Sequence, residues 1–143
     1  IIRPSNPYAK GQNLHGKQGL IAVALGKILA GEPIQVWGDG SAVRDYIYID
    51  DLGKAVANLL LDESIGNETL NIGSGVGYSV NAILATLQEV VDEEVKAEYV
   101  AARNVDVSSV VLDIKKLQSL IPFSPRDIRD SITRFYQEVR HGE

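Results

Sequence analysis

The sequence predicts an α/β fold, because helix-forming and strand-forming patterns alternate along it. Apolar residues recur at helical spacing between residues 18 and 30 and again near the C-terminus. Runs rich in β-branched and aromatic residues, such as 43–49, lie between these helices and are typical of strands. Since the runs are few and short, we expect a small mixed α/β lobe with an incomplete parallel sheet.

Each element follows from its local pattern. Residues 4–16 and 73–78 are predicted to be loops, because glycine, proline and asparagine are frequent there. The elements predicted in chain order are the end of a buried strand at 1–3, a helix at 18–30, strands at 34–37 and 43–49, a helix at 52–61, a strand at 69–72, a helix from 79 to about 92, a strand at 95–100, a helix from 113 to 120 and a last helix that opens at 124–125.

Capping residues mark the helix ends. Gly31 is predicted to end the first helix, since glycine accepts the left-handed conformation common just beyond a helix. Asp50 or Asp51, then Ser79 and Asp113, are predicted N-caps, because their side-chain oxygens can accept from exposed backbone N–H groups.

Composition excludes several classes of function. The chain has 143 residues, of which 45% are hydrophobic, enough for one domain with a core. Its net charge of −5 argues against a nucleic-acid or anionic-membrane partner. With no cysteine and two histidines we expect no disulfide and no metal site. No apolar stretch is long enough to span a bilayer.

An arginine follows a glycine-rich turn in the middle of the chain. Residues 38–41 are predicted to form that turn, and Arg44 begins the strand after it. The planar guanidinium suits a pair of diphosphate oxygens. From the local sequence alone, a surface ion pair with Asp45 or Asp51 is the favoured explanation of this arginine.

A second arginine is followed by a carboxylate three residues later. Arg103 could bind a phosphate while Asp106 accepts hydrogen bonds from a ribose diol. The alternative is an ion pair within a loop.

Asn6 could likewise donate to a phosphate oxygen or serve only as a turn residue. Trp37 could stack on a base or pack at the rim of the core.

A glycine-rich stretch at 73–77 invites a dinucleotide interpretation, which we reject. Its spacing is G-x-G-x-G, whereas the dinucleotide fingerprint is G-x-G-x-x-G. No acidic residue ends the next predicted strand, at 95–100. The stretch is better explained as a tight turn between a strand and a helix.

Four stretches in order along the chain resemble one enzyme family. They are Arg-Pro-Ser-Asn-Pro-Tyr at 3–8, Pro-Ile-Gln-Val-Trp-Gly-Asp-Gly at 33–40, Val-Arg-Asp-Tyr-Ile-Tyr-Ile-Asp-Asp-Leu at 43–52 and Asn-Ile-Gly-Ser-Gly at 71–75. Together they resemble the C-terminal half of the extended short-chain dehydrogenases/reductases, and most closely the UDP-hexose 4-epimerases. The resemblance implies an extended Rossmann-type fold, NAD as cofactor and a UDP-sugar as substrate.

The resemblance also implies roles for individual residues. Pro4 and Ser5 would line the nicotinamide end of NAD through backbone groups. The residues implied to bind the substrate are Asn6 and the pair Arg44 and Arg103 at the diphosphate, Gly19 and Leu20 at the helix that closes over the nucleotide, Val36 and Trp37 beside the uracil, and Asp106 at the ribose.

The family's catalytic tyrosine and lysine, spaced Tyr-x-x-x-Lys, have no counterpart here. None of the six tyrosines has a lysine four residues on. The sequence also starts abruptly, in Ile1-Ile2. We therefore expect residues 1–143 to be the substrate-binding portion of a longer enzyme, and we expect that enzyme to be cytoplasmic and to dimerise. The lone portion should expose a strand edge and self-associate. A 4,6-dehydratase, a decarboxylase and a non-catalytic nucleotide-sugar-binding module remain the alternatives.

Overall fold

A computed structural model describes residues 1–102 and 107–141 and confirms the α/β class. Short strands and helices alternate through most of this length. The strands are β1 (Ile2–Pro4), β2 (Asn6–Tyr8), β3 (Ile34–Trp37), β4 (Val43–Tyr48), β5 (Leu70–Ile72), β6 (Gly77–Ser79), β7 (Ala97–Val100) and β8 (Ser109–Val110). The helices are α1 (Leu20–Leu29), α2 (Ile49–Leu61), α3 (Val80–Val90), α4 (Lys115–Leu120) and α5 (Ile128–His141).

Strand β4 organises the sheet structure, because three other strands pair with it. Its second half pairs in parallel with β2, with Asn6 opposite Tyr46. Its first half lies between β6, which is antiparallel, and β8, which is parallel. Two further parallel pairs, β1 with β5 and β3 with β7, stand apart from β4. The strand pairing is therefore mainly parallel, as the sequence predicts.

Two hydrophobic clusters fill the interior. The larger one packs α1, α3 and α5 against β2, β3 and β4, with Phe135 and Leu25 fully buried. The smaller one lies between α2, α4 and β5, around Ile72 and Leu117. In both clusters the helices contribute their apolar faces, and burial of these faces stabilises the periodic segments of the sequence as helices.

Three short strands were not predicted. The predicted loop at 4–16 contains β2, the loop at 73–78 runs into β6, and β8 had no prediction at all. Pro7 and Gly77 are poor strand residues by intrinsic preference. They adopt extended backbone because β4 offers hydrogen-bonding edges, so tertiary pairing overrides the local preference.

The predicted helix starts are right to within a few residues, but not every cap is. Ser79 caps α3 as predicted, since its Oγ accepts from the Ala82 N–H at 3.0 Å. Helix α2 begins three residues early, with Tyr48 as N-cap, so Asp50 and Asp51 lie in its first turn. Asp113 accepts from the Lys115 N–H at 2.9 Å, one residue before the N-cap Ile114.

The first strand lies at an edge and is not buried as predicted. Ile1 is 84% and Ile2 44% exposed, because among the described strands β1 pairs only with β5. Leu60 and Leu61, at the end of α2, are also exposed. Within the described part of the chain, no helix combines the length and apolar character needed to cross a bilayer.

Candidate functional site

Four of the residues predicted to bind substrate wall one small cavity. Asn6 on β2 and Arg44 on β4 face Gly19 and Leu20 at the start of α1 across about 180 Å³. The Tyr46 ring lines the same cavity. These residues are distant in sequence, so their convergence comes from the pairing of β2 with β4 and the packing of α1 over that pair.

Two larger cavities adjoin this one. A cavity of about 240 Å³ shares Asn6 and Arg44 and adds Pro4 and Ser5. A cavity of about 500 Å³ shares Gly19 and Leu20 and reaches Trp37. Since neighbouring cavities share lining residues, we refer to the three together as the β4 cleft.

The guanidinium of Arg44 is not paired with an acidic residue of the described chain. It donates from Nη1 to the Val43 carbonyl at 2.7 Å and forms no ion pair with a carboxylate among residues 1–102 and 107–141. Asp45 points elsewhere, and Asp51 is bound to Arg126, with 3.8 Å between Nη2 and Oδ1. The surface ion pairs that could have explained Arg44 are therefore not formed.

The start of α1 adds further anion-attracting groups. Gly19, the N-cap, has a φ of 87°, and its backbone places the first turn of the helix at the cleft. The first turn contains no acidic residue. Its unpaired backbone N–H groups and the positive end of the helix dipole favour an anion such as a phosphate.

Strand alternation separates Val36 from Trp37. Val36 is 1% exposed and packs in the larger hydrophobic cluster, so its side chain does not reach the cleft. Trp37 is 42% exposed and lines the cavity of about 500 Å³, together with Gln35. Gln35 was not among the predicted site residues. The strand alternates buried Ile34 and Val36 with exposed Gln35 and Trp37, and this alternation could have indicated it.

Pro4 and Ser5 line the other end of the cleft, but they offer a ligand fewer backbone hydrogen-bonding groups than expected. The Ser5 N–H donates to the Ile72 carbonyl at 2.9 Å, and proline has no N–H. Carbonyl oxygens are thus the backbone groups left for a ligand. Ser5 lines the cavity of about 240 Å³, but its Oγ is buried, without a hydrogen-bond partner among the described residues.

Arg103 and Asp106 lie outside the described residues. Val110 and Leu112, a few positions after them, line the cavity of about 240 Å³ beside Arg44. Elsewhere in the described chain, no group of three or more His, Cys, Asp or Glu is arranged to hold a metal ion.

A fourth cavity, of about 310 Å³, lies beyond Tyr46 and is lined by four tyrosines. Burial raises the pKa of the Tyr8, Tyr46, Tyr48 and Tyr78 hydroxyls above the ordinary value. These hydroxyls therefore stay protonated at neutral pH and act as neutral hydrogen-bonding groups. No spacing pattern in the sequence indicated this cluster, since its members come from β2, β4 and β6.

Comparison with known proteins identifies the family of this chain. Residues 1–73 match the family model of the NAD dependent epimerase/dehydratase family. The chain belongs to the NAD-dependent epimerase/dehydratase family. It is 32% identical over 141 residues to a dTDP-4-dehydro-6-deoxyglucose reductase of Escherichia coli, covering 97% of this chain and 44% of that relative.

Solved structures in this family have the same fold. A UDP-glucose 4-epimerase of Thermotoga maritima, with UDP-glucose, superposes with a TM-score of 0.88 at 32% identity over 99% of this chain and 45% of the epimerase. A UDP-glucose 4-epimerase of Thermus thermophilus, with NAD, gives 0.86 at 25% identity over 99% and 46%. The matched part is their C-terminal half. The chain spans less than half the length of the curated relatives it matches.

Proposed function

We propose that this chain is the substrate-binding portion of an NAD-dependent nucleotide-sugar 4-epimerase that acts on a UDP-hexose. Its role is to hold the nucleotide diphosphate, while hydride transfer at sugar C4 uses residues that this sequence does not contain. The observation that carries the proposal is the cavity in which Asn6, Arg44 and the start of α1 meet.

The centre of the β4 cleft suits a diphosphate. Arg44 supplies a positive charge without a competing carboxylate among the described residues. Asn6 has a second N–H after donating one to Asp45, and the first turn of α1 presents backbone N–H groups. Because these donors are fixed by strands and a helix, little side-chain freedom is lost when the ligand binds.

The wide end of the cleft suits a nucleobase. Trp37 offers an aromatic ring for stacking, and the Gln35 carboxamide can both donate to and accept from the edge of a base. Val36 contributes through packing beneath this surface instead of by contact. Arg103 and Asp106 keep their proposed roles at the diphosphate and the ribose.

The narrow end of the cleft fits the nicotinamide part of NAD. A carboxamide can donate to a carbonyl of Pro4 or Ser5 there. When bound, NAD accepts and returns a hydride. The residues of this chain would orient the sugar toward it through binding energy remote from the reacting carbon.

Trp37 provides a direct test, because it is the only tryptophan in the chain. We expect UDP to change its fluorescence saturably, and Arg44→Ala to weaken that titration. Arg129→Ala is the matched control, since it removes the same charge from the exposed side of α5. Absence of any UDP-dependent change, together with no heat of binding by calorimetry, would refute the assignment of the cleft.

A second candidate has support from the similarity to the E. coli reductase. A dTDP-linked or GDP-linked 4-keto sugar reductase would use the same cleft with another base. Parallel titrations with UDP, dTDP and GDP separate these substrates by affinity. A 4,6-dehydratase, a decarboxylase or a non-catalytic binding module is distinguished by analysing the products formed by the complete protein.

The assembly state is also a proposal. We propose that the complete enzyme is a homodimer and that the isolated chain self-associates through the exposed Ile1–Ile2 edge. Light scattering of the isolated chain tests the second statement. A monomer at all accessible concentrations would contradict it.

A further inference from the structure

We propose that Asp45 is a positioning residue that sets the geometry of the β4 cleft around Arg44 and Asn6. The inference rests on the proposed function, since it concerns how the diphosphate site is built. Asp45 is 1% exposed, the most deeply buried carboxylate among the described residues. Asp45 lines the cavity of about 240 Å³, but both of its carboxylate oxygens accept hydrogen bonds from the protein, so we infer that it affects binding through its neighbours.

The carboxylate of Asp45 joins two separate segments to β4. Its Oδ1 accepts from the Ser74 N–H and from the Ser74 Oγ, each at 2.8 Å. Its Oδ2 accepts from the Gly75 N–H at 3.1 Å and from the Leu112 N–H at 3.3 Å. The turn after β5 and the segment after β8 are thereby held against the start of the strand that carries Arg44.

The main chain of Asp45 orients a third segment. Its carbonyl accepts from Asn6 Nδ2 at 2.7 Å, which fixes the carboxamide at the cleft. The walls of the cavity of about 240 Å³ include Asn6, Arg44 and Leu112, and each is bonded or adjacent to Asp45. One residue therefore connects the opposite walls of this cavity.

Strand geometry explains why the residue after Arg44 has this effect. Successive side chains of a strand point to opposite faces, so fixing Asp45 on one face directs Arg44 to the other. The backbone of Arg44 is paired on both sides, with Tyr78 of β6 and Val110 of β8. Asp45 stabilises both flanks, because Gly75 leads into β6 and Leu112 follows β8.

The arrangement requires a carboxylate and little else fits. All four contacts are donors, so an amide at this position would present its own N–H groups to two of them. Gly73 leaves room for the carboxylate, since a Cβ there would lie 2.5 Å from Oδ2. A buried donor without an acceptor is costly, so the loops would shift and the cleft with them.

Asp51 offers a matched comparison for the test. It is also buried, at 8% exposed, and also accepts from a distant backbone N–H, that of Arg126 at 2.8 Å. It lines none of the three cavities of the β4 cleft. Asp45→Asn and Asp51→Asn should both lower the urea midpoint of unfolding, but only Asp45→Asn should reduce the UDP affinity of the folded protein.

Calorimetry with UDP gives the decisive measurement. We expect Asp45→Asn to weaken binding by about tenfold or more, the effect of displacing one charge-assisted contact. Asp51→Asn should stay within about twofold of the original chain. Equal losses in both variants would mean that general destabilisation explains the effect, and unchanged affinity in Asp45→Asn would overturn the proposal.

Two further arms keep the outcomes separable. If Asp45→Asn does not fold, Ser74→Ala removes a single donor and should still weaken UDP binding, by about twofold to fivefold; unchanged affinity would overturn the proposal. If the original chain does not bind UDP, the proposed function fails. The positioning role is then judged from the Arg44 Nε–H NMR signal, which should shift in Asp45→Asn but not in Asp51→Asn; an unshifted signal would overturn it.

Discussion

The two halves of β4 place arginines in opposite situations. In the first half, Arg44 faces a cleft, and its guanidinium hydrogen-bonds only to a main-chain carbonyl among the described residues. In the second half, the guanidinium carbons of Arg126 and Arg134 lie 5.4 and 5.9 Å from the centroid of the Tyr48 ring. Both arginines there also pair with carboxylates, Arg126 with Asp51 and Arg134 with Glu138.

The difference shows what distinguishes a binding arginine from a structural one. Arg126 lies over a ring and beside a carboxylate, so its charge is compensated without a ligand, although its buried Nη1 has no hydrogen-bond partner among the described residues. Arg44 has its backbone paired on both sides while its charge stays uncompensated within the described chain. A rigid backbone with an unsatisfied charge is a preorganised anion site, whereas a satisfied charge contributes to stability.

Removal of the Tyr48 ring should have the largest effect. Tyr48 is 3% exposed, its hydroxyl donates to Glu138 Oε2 at 2.6 Å, and its ring meets Tyr8 edge-on with centroids 5.5 Å apart. Tyr48→Ala should lower the free energy of unfolding by about 3–5 kcal/mol, as for other buried aromatics. Urea unfolding followed by circular dichroism measures this. A loss as small as that of an exposed residue would refute the structural role.

Alkaline pH should weaken the same half of the strand. Burial, reinforced by Glu138, raises the pKa of Tyr48 above the ordinary value of 10.0. The folded protein then keeps a proton that the unfolded chain has lost, so stability is complete below about pH 10 and falls as the pH rises beyond it. Urea unfolding between about pH 8 and about pH 11 checks the direction. Tyr48→Phe should flatten the decline, and an equally steep decline in that variant would contradict the assignment.

An arginine outside both halves should matter least. Arg129 pairs with Glu89 at 3.2 Å, and the side chains are 60% and 57% exposed. Arg129→Ala should change the free energy of unfolding by less than about 1 kcal/mol, because solvent screens such pairs. It should leave UDP binding unchanged. A large effect on stability or on UDP binding would contradict the distinction drawn between the arginines at the two halves of β4.

The local sequence pattern predicted the elements whose structure is decided by burial of one of their own faces. Helix α1 and strand β3 are where their periodicity placed them, because burial of one face decides their structure. Strands β2, β6 and β8 depend on pairing with β4 and have no strong pattern of their own. Such partners come from distant parts of the chain, which single-sequence patterns do not show.

The candidate site divides in the same way. Arg44 could be singled out from its turn and from the family resemblance, and Trp37 from its place in β3. The choice of Val36 overlooked the alternation of the strand, which puts Gln35 at the cleft instead. The contacts of Asp45 could not be foreseen, since its donors lie in segments about 30 and 67 residues away.

The most direct test compares Arg44→Ala with Arg126→Ala by two measurements on each, UDP calorimetry and urea unfolding. Arg44→Ala should lose about 1.5–3 kcal/mol of UDP binding with stability changed by less than about 0.5 kcal/mol. Arg126→Ala should lose about 1–3 kcal/mol of stability and keep its UDP affinity, because Asp51 would lose a charged partner. An unchanged UDP affinity in Arg44→Ala, or matching losses in both variants, would contradict the account.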